Sequence, residues 1–145
     1  MKIVLQRVSS ASISVDGNII GNIGKGYVVL LGIGTDDDYA KVEKLVSKLQ
    51  KLRLFPDENG KTNLSIENIN GEILVVSQFT LYADSSKGNR PSFINAAQPE
   101  LAEELYEYFI KYATGKFFKV AHGIFGAAMH VKLVNDGPFT LILEM

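Results

Sequence analysis

The chain has 145 residues, 46% of them apolar and 21% charged, with a formal net charge of −1. That composition suits one globular domain over residues 1–145, and the near-neutral charge excludes a general electrostatic footprint for nucleic acid or membrane, leaving only a local basic patch. The lack of cysteine excludes disulfides, thiolate metal sites and thiol nucleophiles. With no apolar stretch of signal-peptide or membrane-spanning length, the expected location is cytoplasmic.

Residues 2–15 alternate as a half-solvated strand, with Ile3 and Leu5 on one face and Ala11, Ile13 and Val15 on one face further along. Arg7 falls on the face of Ile3 and Leu5. It reads either as an edge residue whose head reaches solvent or as a buried guanidinium holding a carbonyl or carboxylate. Asp16-Gly17 is a two-residue hairpin signal leading into a return strand over 18–23. Tyr27 to Ile33 is apolar throughout, as a strand covered on both faces would be. Thr35 is placed to cap the following helix, in which Tyr39, Val42, Leu45, Val46 and Leu49 recur at helical spacing. A short extended piece, 52–55, ends at the turn cluster Pro56 to Gly60.

A strand is predicted over 72–82. Ser77, Phe79 and Leu81 share one of its faces, and Gln78, Thr80 and Tyr82 the other. Residues 83–90 form a polar loop. Pro99 opens a second helix at its first turn, with Leu101, Leu105, Tyr108, Phe109 and Tyr112 as its stripe and Gly115 at its end. Strands follow over 117–121, 129–134 and 139–143, with a glycine-bounded bend at 123–126. Asn135-Asp136-Gly137-Pro138 separates the last two strands. Spacing alone favours a hairpin with an awkward turn there; the other reading is a rigid backbone device that presents carbonyls. The elements add up to an α+β fold: a mainly antiparallel, barrel-like β layer with two helices.

Side-chain chemistry is sparse. His122 and His130 do not lie in a ligand-spaced cluster, so no metal is expected. Glycine patterns for nucleotide phosphates are lacking, Gly32-Ile33-Gly34 alone being too weak. Ser77 and Thr80 are hydroxyls in an apolar strand, readable as a nucleophile or as backbone-bonding groups; three residues apart, they face opposite ways unless the strand bends. Phe79, Phe125 and Met129 read first as core.

Four motifs in order carry a resemblance: Ser77-Gln78-Phe79-Thr80-Leu81, Gly88-Asn89-Arg90-Pro91-Ser92-Phe93, Gly123-Ile124-Phe125-Gly126-Ala127, and Asn135-Asp136-Gly137-Pro138-Phe139-Thr140. Together with Gln6-Arg7-Val8 and the Asp16-Gly17 hairpin, they resemble the D-aminoacyl-tRNA deacylases over essentially the whole chain. The resemblance implies hydrolysis of the ester joining a D-amino acid to the 3′-terminal adenosine of tRNA. Glycine mischarged on tRNA-Ala would also be removed and L-aminoacyl-tRNA spared, which is chirality proofreading in translation. It also implies a homodimer in which a cis Gly137-Pro138 pair enters the partner's pocket and its carbonyls reject an L side chain. Ser77, Gln78 and Thr80 become the catalytic set, with Thr80 the suspected nucleophile but the tRNA 2′-OH and water implied to assist. No cofactor is implied.

The residues are consistent with those implications. Rigid carbonyls can exclude one hand of a substrate without any side chain, and Arg7 is placed to anchor the bend. Phe79, Phe125 and Met129 would then bind substrate together with Gly137, Pro138 and Arg7. An RNA end would need a local basic cluster, for which Lys87, Arg90, Lys116 and Lys119 are the candidates; no DNA or membrane partner is expected. A covalent Ser77 or Thr80 hydrolase of another small ester, or a non-catalytic dimeric binding module, are the competing readings.

Overall fold

The computed structural model describes residues 1–145. β1 (Lys2–Val15) is the spine of its six-stranded sheet. Along one edge, β8 (His130–Glu144) runs antiparallel from Lys2 opposite Glu144 to Ser14 opposite His130. Along the other edge, the first half of β1 pairs with β3 (Gly26–Gly32) and the second half with β2 (Asn18–Ile23). The β1–β2 turn is Asp16-Gly17, with φ of 49° and 79°. Two successive positive φ values match the twist of the flanking strands, which is why the Asp-Gly signal was informative there.

β3 continues the sheet to β6 (Glu72–Ser77) and β7 (Lys119–His122), and both of these ladders are parallel. Parallel neighbours need long crossovers. The first holds α1 (Tyr39–Lys51) and a small hairpin of β4 (Arg53–Pro56) and β5 (Thr62–Ser65); the second holds α2 (Pro99–Ala113). The fold is thus α+β with two helices as expected, but four ladders are antiparallel and two are parallel. The sheet curls until its ends nearly meet, where Lys119 Nζ on β7 donates to Asn22 Oδ1 on β2 at 3.0 Å. Both helices cover one face, over a core that includes Leu5, Tyr27, Val29, Ile73, Leu45 and Phe109. A smaller core containing Ile13, Val28, Leu74 and Val76 fills the inside of the curl.

Four local expectations are corrected. Asp38, not Thr35, caps α1, its carboxylate accepting from Lys41 N–H at 2.8 Å. The strand expected over 72–82 ends at Ser77 and gives way to a single turn of 3-10 helix, Phe79–Tyr82. And residues 129–143 are not two strands around a hairpin: β8 passes through Asn135 to Pro138 without reversing, because β1 is long enough to pair with both of its halves. The stripe of α2 is also rotated, with Ala102, Tyr106, Ile110 and Ala113 buried beside Leu105 and Phe109.

Candidate active site

β6 delivers Ser77 and Gln78 to the end of the sheet. Gln78 N–H still donates to Leu31 carbonyl at 2.8 Å, so the chain stays pinned to β3 as it leaves the strand. The 3-10 turn then redirects it, closed by Leu81 N–H to Gln78 carbonyl and Ala83 N–H to Thr80 carbonyl. The opening N–H groups of such a turn, here Phe79 and Thr80, have no acceptor within it. A cavity of about 570 Å³ lies beside this bend. Ser77, Gln78 and Phe79 form one wall, and Phe125, Gly126, Ala127 and Met129 another; Ala97, Pro99 and Ala102 close it from the start of α2. Most of the lining is apolar, with Ser77 and Gln78 as its polar side chains.

The bend leaves Ser77 in the cavity wall and carries Thr80 out beside Gln78. Thr80 Oγ1 accepts from Gln78 Nε2 at 2.5 Å and Thr80 is exposed. No imidazole reaches it: His122 Nδ1 sits 2.9 Å from Gly123 carbonyl, and His130 lies on β8 opposite Ser14. A hydroxyl without a base is a poor nucleophile.

The second constellation is on β8. Gln6 faces Thr140 and Val8 faces Asn135, so Arg7 alone stands opposite the four residues Asp136 to Phe139. They form a wide bulge, within which the Gly137-Pro138 peptide is cis. Arg7 is buried. Its Nε donates to Asp136 carbonyl at 3.0 Å, its Nη1 donates to Leu54 carbonyl at 2.6 Å, and its guanidinium lies 4.8 Å from the centre of the Phe139 ring. Asn135 bridges the bulge from below: Nδ2 donates to the carbonyls of Arg7 and Phe139, and Oδ1 accepts from Phe139 N–H at 3.2 Å. Gly137 and Pro138, at the tip, are exposed and do not line the cavity of their own chain.

Residues 4–144 match the family model described as D-Tyr-tRNA(Tyr) deacylase. This chain belongs to that deacylase family. Its members are hydrolases of the aminoacyl-tRNA ester bond. The D-aminoacyl-tRNA deacylase of Lactobacillus acidophilus is 51% identical over 145 residues, covering 100% of both chains. That of Clostridioides difficile (strain 630) is 54% identical over 144 residues, 99% of this chain and 97% of the other. Among solved structures, the c-Myc DNA Unwinding Element Binding Protein superposes with a TM-score of 0.94 at 43% identity, covering 100% of this chain and 99% of that one. A probable eukaryotic D-amino acid tRNA deacylase gives 0.89 at 16% identity, over 99% and 98%, which speaks for the fold alone.

Within this deacylase chain, five of the residues singled out from sequence line one cavity: Ser77, Gln78, Phe79, Phe125 and Met129. Thr80 adjoins them through Gln78. Arg7, Gly137 and Pro138 form the separate bulge. The four basic residues divide between two places. Lys87 and Arg90 are exposed on the loop after the 3-10 turn, a loop tied to the cavity by Phe93, whose ring packs edge-on against Phe79 at 5.0 Å. Lys119 lies 3.7 Å from Glu72, at the opposite end of β6 from Ser77, and Lys116 lies over the Tyr112 ring. Sequence reasoning missed Ala97, Pro99 and Ala102, where the small residues leading into α2 were the available signal, and gave Asn135 no role of its own.

Proposed function

We propose that this chain hydrolyses the ester between a D-amino acid and the 3′-terminal adenosine of tRNA, and spares L-aminoacyl-tRNA. Glycine mischarged on tRNA-Ala is a second substrate, and the role is chirality proofreading in the cytoplasm. The observation that carries this reading is the apolar cavity at the end of β6, which offers donors and enclosure but no paired nucleophile and base. An aminoacyl ester is already activated, so orientation and oxyanion donors suffice. Water attacks the ester carbonyl carbon, the N–H groups of Phe79 and Thr80 receive the developing oxyanion, and the bond to the 3′-oxygen breaks. The proton lost by the attacking water reaches the leaving 3′-oxygen by way of the neighbouring 2′-OH, giving free D-amino acid and tRNA. No covalent intermediate and no metal takes part.

Hand selection falls to Gly137 and Pro138 of a second copy. Their exposure, the anchoring of their bulge by Arg7 and Asn135, and their absence from the lining of their own cavity support a gate that serves a partner. Exposed apolar side chains support association: Phe79 is 57% exposed, Val134 57% and Ile142 71%. Lys87 and Arg90 would hold the phosphates nearest the 3′ end, with Lys116 and Lys119 contacting RNA further along, toward the far end of β6.

Matched D- and L-aminoacyl-tRNA incubated with the protein test the reading. Loss of the D ester alone, by a protein that sediments as a dimer, is the expected result. Equal loss of both, or of neither, overturns it.

A further inference from the structure

We propose that Tyr106 is a positioning residue of the deacylase site, holding the two cavity walls together from behind. The inference rests on the deacylase reading above and adds a residue outside the cavity lining. Tyr106 lies on α2 with no exposed surface. Its hydroxyl is within bonding range of two carbonyls, Val75 at 3.1 Å and Gly123 at 3.2 Å. Val75 is on β6, two residues before Ser77; Gly123 follows β7, two residues before Phe125. Each carbonyl therefore belongs to the backbone that leads into one wall. Gly123 N–H also donates to Val75 carbonyl at 3.0 Å, so the phenol caps a pairing that continues the β6–β7 ladder past its last register pair, Val75 with His122.

The rest of the side chain serves the same geometry. The Tyr106 ring lies 6.0 Å from the Phe125 ring, and Phe125 faces the cavity. One helical turn earlier, Ala102 is itself part of the cavity wall. α2 thus presents a wall residue and a clamp on adjacent turns. Burial pushes the Tyr106 hydroxyl well above the ordinary phenol range, so it stays protonated and able to donate. Without the hydroxyl, whose one proton is shared between the two carbonyls, the segment 123–129 loses its tie to α2 and keeps only the Gly123 N–H bond to β6 at this point. Phe125 and Met129 would then move relative to Ser77 and Gln78, and a displacement of about 1 Å in a site that works by orientation costs on the order of 100-fold in rate.

The test is Tyr106→Phe in the full chain, beside Ile110→Val as a core deletion on the same helix at a residue that does not line the cavity. Tyr106→Phe is expected to lower kcat/KM for D-aminoacyl-tRNA by about 10–100-fold, with KM raised and the protein fully folded by circular dichroism. Ile110→Val is expected to lower Tm while leaving KM and kcat/KM near the unaltered values. Amide exchange at 123–129 should quicken in Tyr106→Phe and not in Ile110→Val. This readout needs no substrate, so it decides the clamp even if the unaltered chain fails to deacylate, a result that would sink the functional reading instead. Unchanged exchange at 123–129, or kcat/KM within twofold of the unaltered active chain, overturns the positioning role.

Discussion

Replacing Arg7 with methionine removes the charge from the β8 bulge while roughly keeping the bulk of the side chain. Two charge-assisted hydrogen bonds disappear, to Asp136 and Leu54 carbonyls. At about 1.5–3 kcal/mol each, they amount to about 3–6 kcal/mol. The contact with the Phe139 ring adds about 1 kcal/mol, and the ion pair to the half-exposed Asp136 carboxylate, at 3.4 Å, adds less than about 1 kcal/mol. Methionine recovers part of this through packing, so the expected loss is about 3–5 kcal/mol. At this chain length that lowers Tm by roughly 10–16 °C. The functional effect should be selective. With the bulge unanchored, L-aminoacyl-tRNA hydrolysis rises toward the D rate, while D hydrolysis changes little at temperatures where the variant is folded. Scanning calorimetry and paired D and L deacylation rates measure the two effects. A full loss of stability with an unchanged D-to-L ratio would refute the gate, and an unchanged Tm would refute the energetic assignment.

Thr80→Ala, Ser77→Ala and His130→Ala are each expected to retain activity within about tenfold in single-turnover assays, against roughly 10⁴–10⁶-fold for loss of a true nucleophile; substrate ending in 2′-deoxyadenosine should react far more slowly with all of them. Gly123→Ala would place a methyl against Met129 Sδ and 3.0 Å from Ile13 Cδ1. The flexible thioether is expected to swing into the cavity, so D-tyrosyl-tRNA should lose more in kcat/KM than D-alanyl-tRNA. Burial disfavours the Asp37 carboxylate, but hydrogen bonds from the terminal ammonium of Met1, the Gly34 N–H and Lys41 more than compensate, and its pKa is lowered. A lowered folded-state value means stability that is fully present above the unfolded carboxylate value, about 3.9, and lost as pH falls through the folded value. Asp37→Asn should therefore lower the denaturation midpoint at pH 7 and flatten the acid limb of the stability curve.

Local signals were legible wherever local chemistry decided the outcome. The Asp16-Gly17 turn needed two positive φ values and obtained them from the residues best suited to give them. The continuous apolar run at 27–33 showed a strand buried on both faces. Misreadings arose where a distant segment decided. Alternation runs on through Ser77, Phe79 and Leu81, yet the strand stops, because Gln78 N–H is held by Leu31 while the chain turns against Gly32. Asp136-Gly137 carries the same turn chemistry as Asp16-Gly17 but does not reverse the chain, because β1 pairs with both halves of β8. The cavity residues were found by the family's motifs rather than by periodicity, since Phe79, Phe125 and Met129 read equally well as core. The two pairs of basic residues were separated by the direction of β6, with Lys119 beside its start and Lys87 beyond its end.

A gate made of backbone must be stiffer than the load placed on it. Rejecting an L ester by about 1,000-fold requires about 4 kcal/mol of discrimination. If the bulge could yield for less than that, an L side chain would displace it and selectivity would stop at the cost of displacement. The contacts of Arg7, at about 3–6 kcal/mol, are of the same size as this requirement, and Asn135 adds three further hydrogen bonds at the base of the bulge. The anchoring is therefore sufficient for discrimination of about that size. This also accounts for a charged residue in the interior of β1: no apolar side chain at position 7 could donate to carbonyls on both Asp136 and Leu54. Lysine could supply the charge but not two donors in a fixed planar fork. Arg7→Lys should consequently keep the fold and lose part of the hand selectivity, an intermediate that a purely structural arginine would not produce.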